Sequence, residues 1–218
     1  MRKDATHLGP QTALRGVLAC LAVLFTSLAA WAQDAKAPLR FVHEPWSEQE
    51  GSADAASQPG LRYGQEDYVS WAISYSAAYQ AESFDQGLTL SYNRFLVDDI
   101  EWLLEAGLWS FYDRGADAAY GLSVGFGFRW HFLTRERWSL FADLGMAILG
   151  TTDGVPPQGT HFNFMPRAGV GMTYQIDETI RLIGGVRWHH VSNARTRGDA
   201  RNPARDAPLA YVGLIIPF

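Results

Sequence analysis

The segment Trp188-His189-His190-Val191-Ser192 carries the residues whose types and spacing most readily suggest chemistry. In an extended chain, alternate side chains project to one face about 6.6 Å apart along the strand. An imidazole at 190 can therefore lean toward a hydroxyl at 192. A histidine that takes the proton of a serine is the minimal device of nucleophilic ester or amide cleavage. The opposing reading is that His-x-Ser arises by chance and that polar residues commonly end a strand. His189, one residue out of phase, falls on the other face and reads as a satisfied interior residue. His131, His161 and Asp153 show no metal-ligand spacing, so neither metal nor cofactor is expected.

The elements that must position this pair follow from alternation. From Tyr68 onward, large apolar residues alternate with small or charged ones. The clearest run sets Tyr120, Leu122, Val124, Phe126, Phe128 and Trp130 against Gly121, Ser123, Gly125, Gly127, Arg129 and His131. Similar runs begin near Val69, Leu88, Glu101, Trp138 and Phe162. A seventh covers Thr179 to Ser192 and an eighth Leu209 to Phe218, which makes eight strands. A soluble sandwich would also alternate, with its large face as the core. Here the other face mixes glycine, serine and alanine with Glu101, Glu105, Arg129, Asp143, Arg167, Arg181 and Arg187, as the narrow interior of a small membrane barrel requires. The expected fold is therefore all-β, an eight-stranded antiparallel transmembrane barrel with its large residues in lipid. At about 2.5 Å of height per residue in a tilted strand, Ile180 to His190 spans roughly the 25 Å apolar band. The His190/Ser192 pair then lies at one membrane boundary, with an exposed hydroxyl.

The remaining features agree with export. Of 218 residues, 47% are hydrophobic and 13% aromatic, yet the mean hydropathy is only -0.12, so apolar residues are interspersed with polar ones. Arg2, Lys3 and Arg15, the apolar run Val17–Ala30 and Ala30-Trp31-Ala32 follow the order of a cleaved secretory signal over residues 1–32. Cys20 lies too early in that run for a lipoprotein anchor, and cleavage removes this only cysteine. The formal charge then moves from -5 to -7, because Arg2, Lys3 and Arg15 leave with Asp4. A net acidic envelope protein is not expected to bind nucleic acid. Residues 33–67 are polar, hold Pro38, Pro45 and Pro59, follow no period and read as a periplasmic extension. The barrel is expected over 68–218, with short periplasmic turns near 98–99, 134–137 and 175–178. Outer links are expected at Asp113–Asp117, Thr151–Thr160 and Asn193–Pro208.

His190-Val191-Ser192-Asn193-Ala194, followed by Asn202-Pro203 and a last strand ending in Phe218, resembles the His-x-Ser-Asn-Ala signature of the lipid A 3-O-deacylases, the PagL-type outer-membrane hydrolases. Phe162-Asn163-Phe164 with Gly169-Val170-Gly171 resembles the sixth strand of that family. The resemblance is specific over roughly the last 60 residues and elsewhere is a pattern of strands. It implies Ser192 as nucleophile, His190 as general base, and a carboxylate on the loop before the last strand as the group orienting the imidazole. That position is Asp206, where the best-known member has glutamate; Asp199 is a less favoured stand-in. Asn193, Arg195 and Asn202 would support the oxyanion or the local turn, although Arg195 replaces a glycine usual in the family. The loop arginines Arg195, Arg197, Arg201 and Arg205 read either as a solvated loop or as donors to lipid A phosphates. The implied partners are lipopolysaccharide, the outer membrane and, through the terminal Phe218, the barrel-assembly machinery. A barrel with a purely structural or ligand-binding role, or a catalytically silent member, is the alternative.

Overall fold

The computed structural model describes residues 62–80, 82–198 and 202–218. Expectations for the signal segment, Cys20, residues 33–61, Asp199 and Arg201 lie outside them. The described chain forms eight antiparallel strands: β1 (Val69–Gln80), β2 (Ser83–Val97), β3 (Ile100–Asp113), β4 (Ala119–Thr134), β5 (Trp138–Val155), β6 (Thr160–Gln175), β7 (Arg181–Val191) and β8 (Arg205–Pro217). Each pairs with its sequence neighbour, and β1 pairs with β8 from Ser70↔Pro217 to Ala78↔Leu209, closing the barrel. Closure leaves no unpaired strand edge, so every strand can cross hydrocarbon. This is an outer-membrane β-barrel fold.

The two faces separate as alternation demands. Leu122, Phe126 and Leu144 are exposed on the outer wall at 58%, 56% and 66%, as a lipid-facing surface should be. Inside, Arg129 bonds Glu101 at 2.5 Å and Arg187 bonds Asp143 at 2.7 Å, while Arg167 pairs with Glu105. The interior also holds Phe95, Trp109, Phe111, Phe141 and Tyr211, all buried, which alternation read only as small and charged does not foresee. Lumen-facing glycines make room for these rings. A Cβ on Gly171 would sit 2.4 Å from Phe141 Cζ, and one on Gly87 would sit 2.7 Å from the Trp109 ring.

The start of β1 and the C-terminus share the end with short turns, which follow β2 (98–99), β4 (135–137) and β6 (176–180), as expected. In the last of these turns Asp177 Oδ1 accepts from the Thr179 and Ile180 amides and the Thr179 hydroxyl. These donors hold its carboxyl below the ordinary value. The same end has a cavity of about 1050 Å³ lined in part by Arg62, Tyr68, Asp98 and Glu136. Tyr63, within the expected extension, packs edge-on against Phe95 and His131, with the Arg181 guanidinium 4.0 Å above its ring. Two expected links differ. The loop Thr151–Thr160 is mostly strand, with only 156–159 turning between β5 and β6. The link Asn193–Pro208 ends earlier because β8 begins at Arg205; Pro208 sits inside the strand opposite Trp188.

Leu144→Arg should distinguish a lipid wall from a water-facing one. At mid-strand in lipid it should reduce stability by about 2–4 kcal/mol in denaturant titrations of the barrel folded into phosphatidylcholine vesicles. A surface leucine meeting water would show almost no change.

Candidate active site

β7 and β8 bring the predicted trio together at the end of the barrel opposite the start of β1 and the C-terminus. In their antiparallel register His190 pairs directly with Asp206, a placement that brings the two Cβ atoms within about 5.5 Å. His190 Nδ1 lies 2.8 Å from Asp206 Oδ1, and Nε2 lies 2.8 Å from Ser192 Oγ. A carboxylate can only accept, so Nδ1 carries the imidazole proton and Nε2 is left to accept from the serine hydroxyl. The hydrogen bonds thus run in one direction, serine to histidine to aspartate. The side chains of His190 and Asp206 are 20% and 53% exposed. Ser192 is not the exposed hydroxyl expected at a strand end, since only 7% of it is accessible.

Asp206 is not on a loop, as the resemblance implied. It is the second residue of β8, so its backbone is fixed by the ladder rather than by a flexible connection. Ser192 lies one residue past β7 and is held by a single bridge to β6. Its N–H donates to Phe164 O at 3.1 Å and its carbonyl accepts from Phe164 N at 2.7 Å. Between this bridge and the last regular pair, Arg167↔His189, the residue facing His190 is Pro166, which has no N–H to donate. The ladder is therefore interrupted beside the histidine and resumes at the serine.

The turn after Ser192 uses the supporting residues in a specific way. Thr196 N donates to Asn193 O at 3.1 Å, and the two residues between them, Ala194 and Arg195, have φ of 50° and 63°. Two successive left-handed residues make a tight reversal that glycine or asparagine would form with less strain. Arg195 thus adopts the left-handed conformation that glycine, the residue the resemblance implied here, supplies most easily. Asn193 N donates to Asn202 Oδ1 at 3.0 Å, so this amide is committed to tying the turn to the segment before β8.

Alternation splits the loop arginines. Arg195 and Arg197 are exposed. Arg205 does not lie on the loop with them, contrary to expectation: β8 has already begun, so residue 205 faces inward. It is buried and pairs with Asp85 and, at 2.5 Å, with Asp113. His189 faces the lumen as expected, stacked 5.3 Å from Trp109.

Two features were not read from the sequence. Trp188 Nε1 donates to Asp206 Oδ1 at 2.7 Å; its outward position two residues before His190 was visible, but not its partner. The second is another histidine-serine pair. His131 Nδ1 lies 2.8 Å from Ser139 Oγ and Nε2 lies 3.1 Å from Glu101. These side chains lie within the lumen beneath Tyr63, with His131 2% and Ser139 1% exposed, and Glu101 also bonds Arg129. A membrane lipid has no approach to them, so they read as interior packing. Among the described residues no group of three or more His, Cys, Asp or Glu is placed to hold a metal ion.

Comparison with known proteins agrees with this fold. The profile of one family, Lipid A 3-O-deacylase (PagL), matches residues 69–214, all but the last few residues of the barrel. The chain belongs to this family. Among solved structures, the outer membrane enzyme PagL is similar with 17% identity, covering 67% of this chain and 99% of that one, at a TM-score of 0.53. The N-terminal barrel domain of Pseudomonas aeruginosa OprF has 17% identity, covers 70% and 98%, and has a TM-score of 0.49. Neisserial surface protein A has 14% identity, covers 69% and 96%, and has a TM-score of 0.47. At such identities the likeness concerns the fold alone. No curated protein sequence matches.

Arg195→Gly tests the strained turn. It should raise stability by about 1 kcal/mol by relieving a left-handed non-glycine residue, measured as a shift in denaturant midpoint.

Proposed function

We propose that this protein is an outer-membrane serine esterase that removes the 3-O-linked acyl chain of lipid A, with its site at the outer leaflet. The observation that carries the reading is the hydrogen-bonded line Ser192–His190–Asp206 on the lipid-facing wall. Membership in the deacylase family supports the substrate class, and the boundary position suits a substrate whose chains lie in hydrocarbon and whose sugars lie in water.

In the proposed reaction Ser192 Oγ attacks the ester carbonyl carbon as its proton passes to His190 Nε2. The tetrahedral intermediate collapses, and His190 returns that proton to the departing sugar oxygen, leaving the acyl chain esterified to Ser192. Water then attacks the acyl-enzyme, giving its proton to the same nitrogen, and a second collapse releases the fatty acid and restores the serine. Asp206 keeps Nδ1 protonated and stabilises the imidazolium in both halves. Asn193, Arg195 and Asn202 shape the turn beside the oxyanion. Exposed Arg195 and Arg197, with Arg201, are suited to the phosphates of the headgroup. A purely structural barrel has no use for such a line of groups on its lipid face.

Ser192→Ala should abolish fatty-acid release from lipid A, followed by mass spectrometry, while the barrel keeps its heat-modifiable gel migration. His190→Asn should lose about a thousandfold or more, and Asp206→Asn less, because an orienting acid removed alone costs less than nucleophile or base. Full activity in Ser192→Ala would leave the structural barrel as the better account. Gln at both Arg195 and Arg197 should slow turnover of bisphosphorylated lipid A more than of dephosphorylated lipid A. Equal losses on the two substrates would remove the headgroup role.

A further inference from the structure

We propose that Trp188 is a positioning residue for the acid, and that its indole N–H fixes the Asp206 carboxylate in the orientation that His190 needs. The inference rests on the esterase reading. Trp188 stands on the outer face of β7, two residues before His190, and is 47% exposed. Its Nε1 donates to Asp206 Oδ1 at 2.7 Å, and the same oxygen lies 2.8 Å from His190 Nδ1. Its ring leans on the imidazole, with centroids 5.4 Å apart and planes at 34°. Donor, base and acid therefore form a closed triangle across two strands.

The chemistry gives each contact a purpose. A tryptophan on a lipid-facing wall needs a partner for its indole N–H, and at an interface that partner is usually water or a headgroup. Here it is the carboxylate on the adjoining strand. The last side-chain torsion of aspartate is broad and nearly two-fold, so one hydrogen bond alone leaves the carboxylate free to swing. Two donors converging on Oδ1 restrict that swing. The restriction is useful here because the Asp206 side chain is short and its backbone is locked in β8, so the carboxylate's swing is the freedom left to it. A carboxylate turned away would release Nδ1–H, and the imidazole could then rotate off the serine.

The test uses the full barrel refolded in detergent micelles with purified lipid A. Trp188→Phe keeps an aromatic ring and removes the donor. It should lower kcat roughly tenfold, the effect of losing one hydrogen bond to a charged group, with KM unchanged within about twofold. In an Asp206→Glu background, where the longer side chain has its own reach, the same replacement should change kcat by no more than about twofold, a coupling that a double-mutant cycle reads directly. The indole proton resonance, assigned in the unaltered barrel through its proximity to the His190 ring, should move in Asp206→Asn. Wild-type kcat in Trp188→Phe while Ser192→Ala is inactive overturns the inference and leaves the esterase reading intact. A raised KM with unchanged kcat also overturns it, making Trp188 a lipid contact. Turnover in Ser192→Ala removes both. If Trp188→Phe fails to fold, the indole resonance in Asp206→Asn decides, and an unmoved signal overturns the inference.

Discussion

A strand that crosses hydrocarbon must leave no backbone N–H or C=O unpaired, and the rest of this structure depends on that constraint. The β1–β8 seam meets it by closing the sheet on itself. Eight strands enclose a lumen only wide enough for side chains. The interior is therefore packed with Phe95, Trp109, Phe111, Phe141 and Tyr211 around ion pairs such as Arg129–Glu101 and Arg187–Asp143. Reactive groups that are to meet a lipid must consequently stand on the outside. Alternation assigns them there residue by residue: His190 and Asp206 point out while His189 and Arg205, each one residue away, point in.

Much of this was legible in the sequence because period two is a strong signal where the two faces differ in size and charge. The strand count, the outward Leu122 and Leu144, the inward Arg129 and the shared face of His190 and Ser192 all follow from it. What was not legible depends on where pairing begins. Placing the last strand at Leu209 leaves Arg205 and Asp206 as loop residues of indefinite direction. β8 starts at Arg205, and that four-residue difference turns the arginine into an interior group held by Asp85 and Asp113 and the aspartate into the cross-strand partner of His190. Strand ends are set by local pairing rather than by periodicity, and a proline at 208 argues against a strand unless the partner is known. The Trp188–Asp206 bond was hidden for a related reason, since it needs the register between strands rather than the pattern within one, whereas alternation itself places Trp109, Phe111, Phe141 and Tyr211 on the inner face.

Two departures from the family pattern have structural answers of different kinds. At Arg195 the fold keeps the conformation and accepts its cost: a left-handed non-glycine residue is strained by about 1–2 kcal/mol, and such strain persists only where the surroundings over-determine it. The bond from Asn193 N to Asn202 and that from Thr196 N to Asn193 O are among those surroundings. At Asp206 the answer is position. A shorter acid suffices when it is the direct cross-strand neighbour of the histidine, because the ladder supplies the reach that the side chain lacks.

The strand end also answers a conflict inherent in the proposed chemistry. An ester of a membrane lipid lies at the edge of hydrocarbon, whereas completing hydrolysis needs water. A site at mid-strand would meet acyl chains and no water, and a site high on a loop would meet water and no ester. In the proposed placement the trio occupies the level between, with Ser192 buried beside its bridge to Phe164, His190 partly covered and Asp206 half exposed. From serine to aspartate the line runs from the covered side of the wall to the open one. The hydroxyl that must attack the acyl carbonyl is therefore shielded from solvent, while the carboxylate that must stay ionised keeps access to it. Ionisation of an isolated carboxylate in hydrocarbon would be strongly disfavoured, so the acid has to lie on the outermost pair of the β7–β8 ladder but one, as it does. Carried a few residues deeper into the same ladder, the same three residues would lose the charge on which the orientation of the histidine depends.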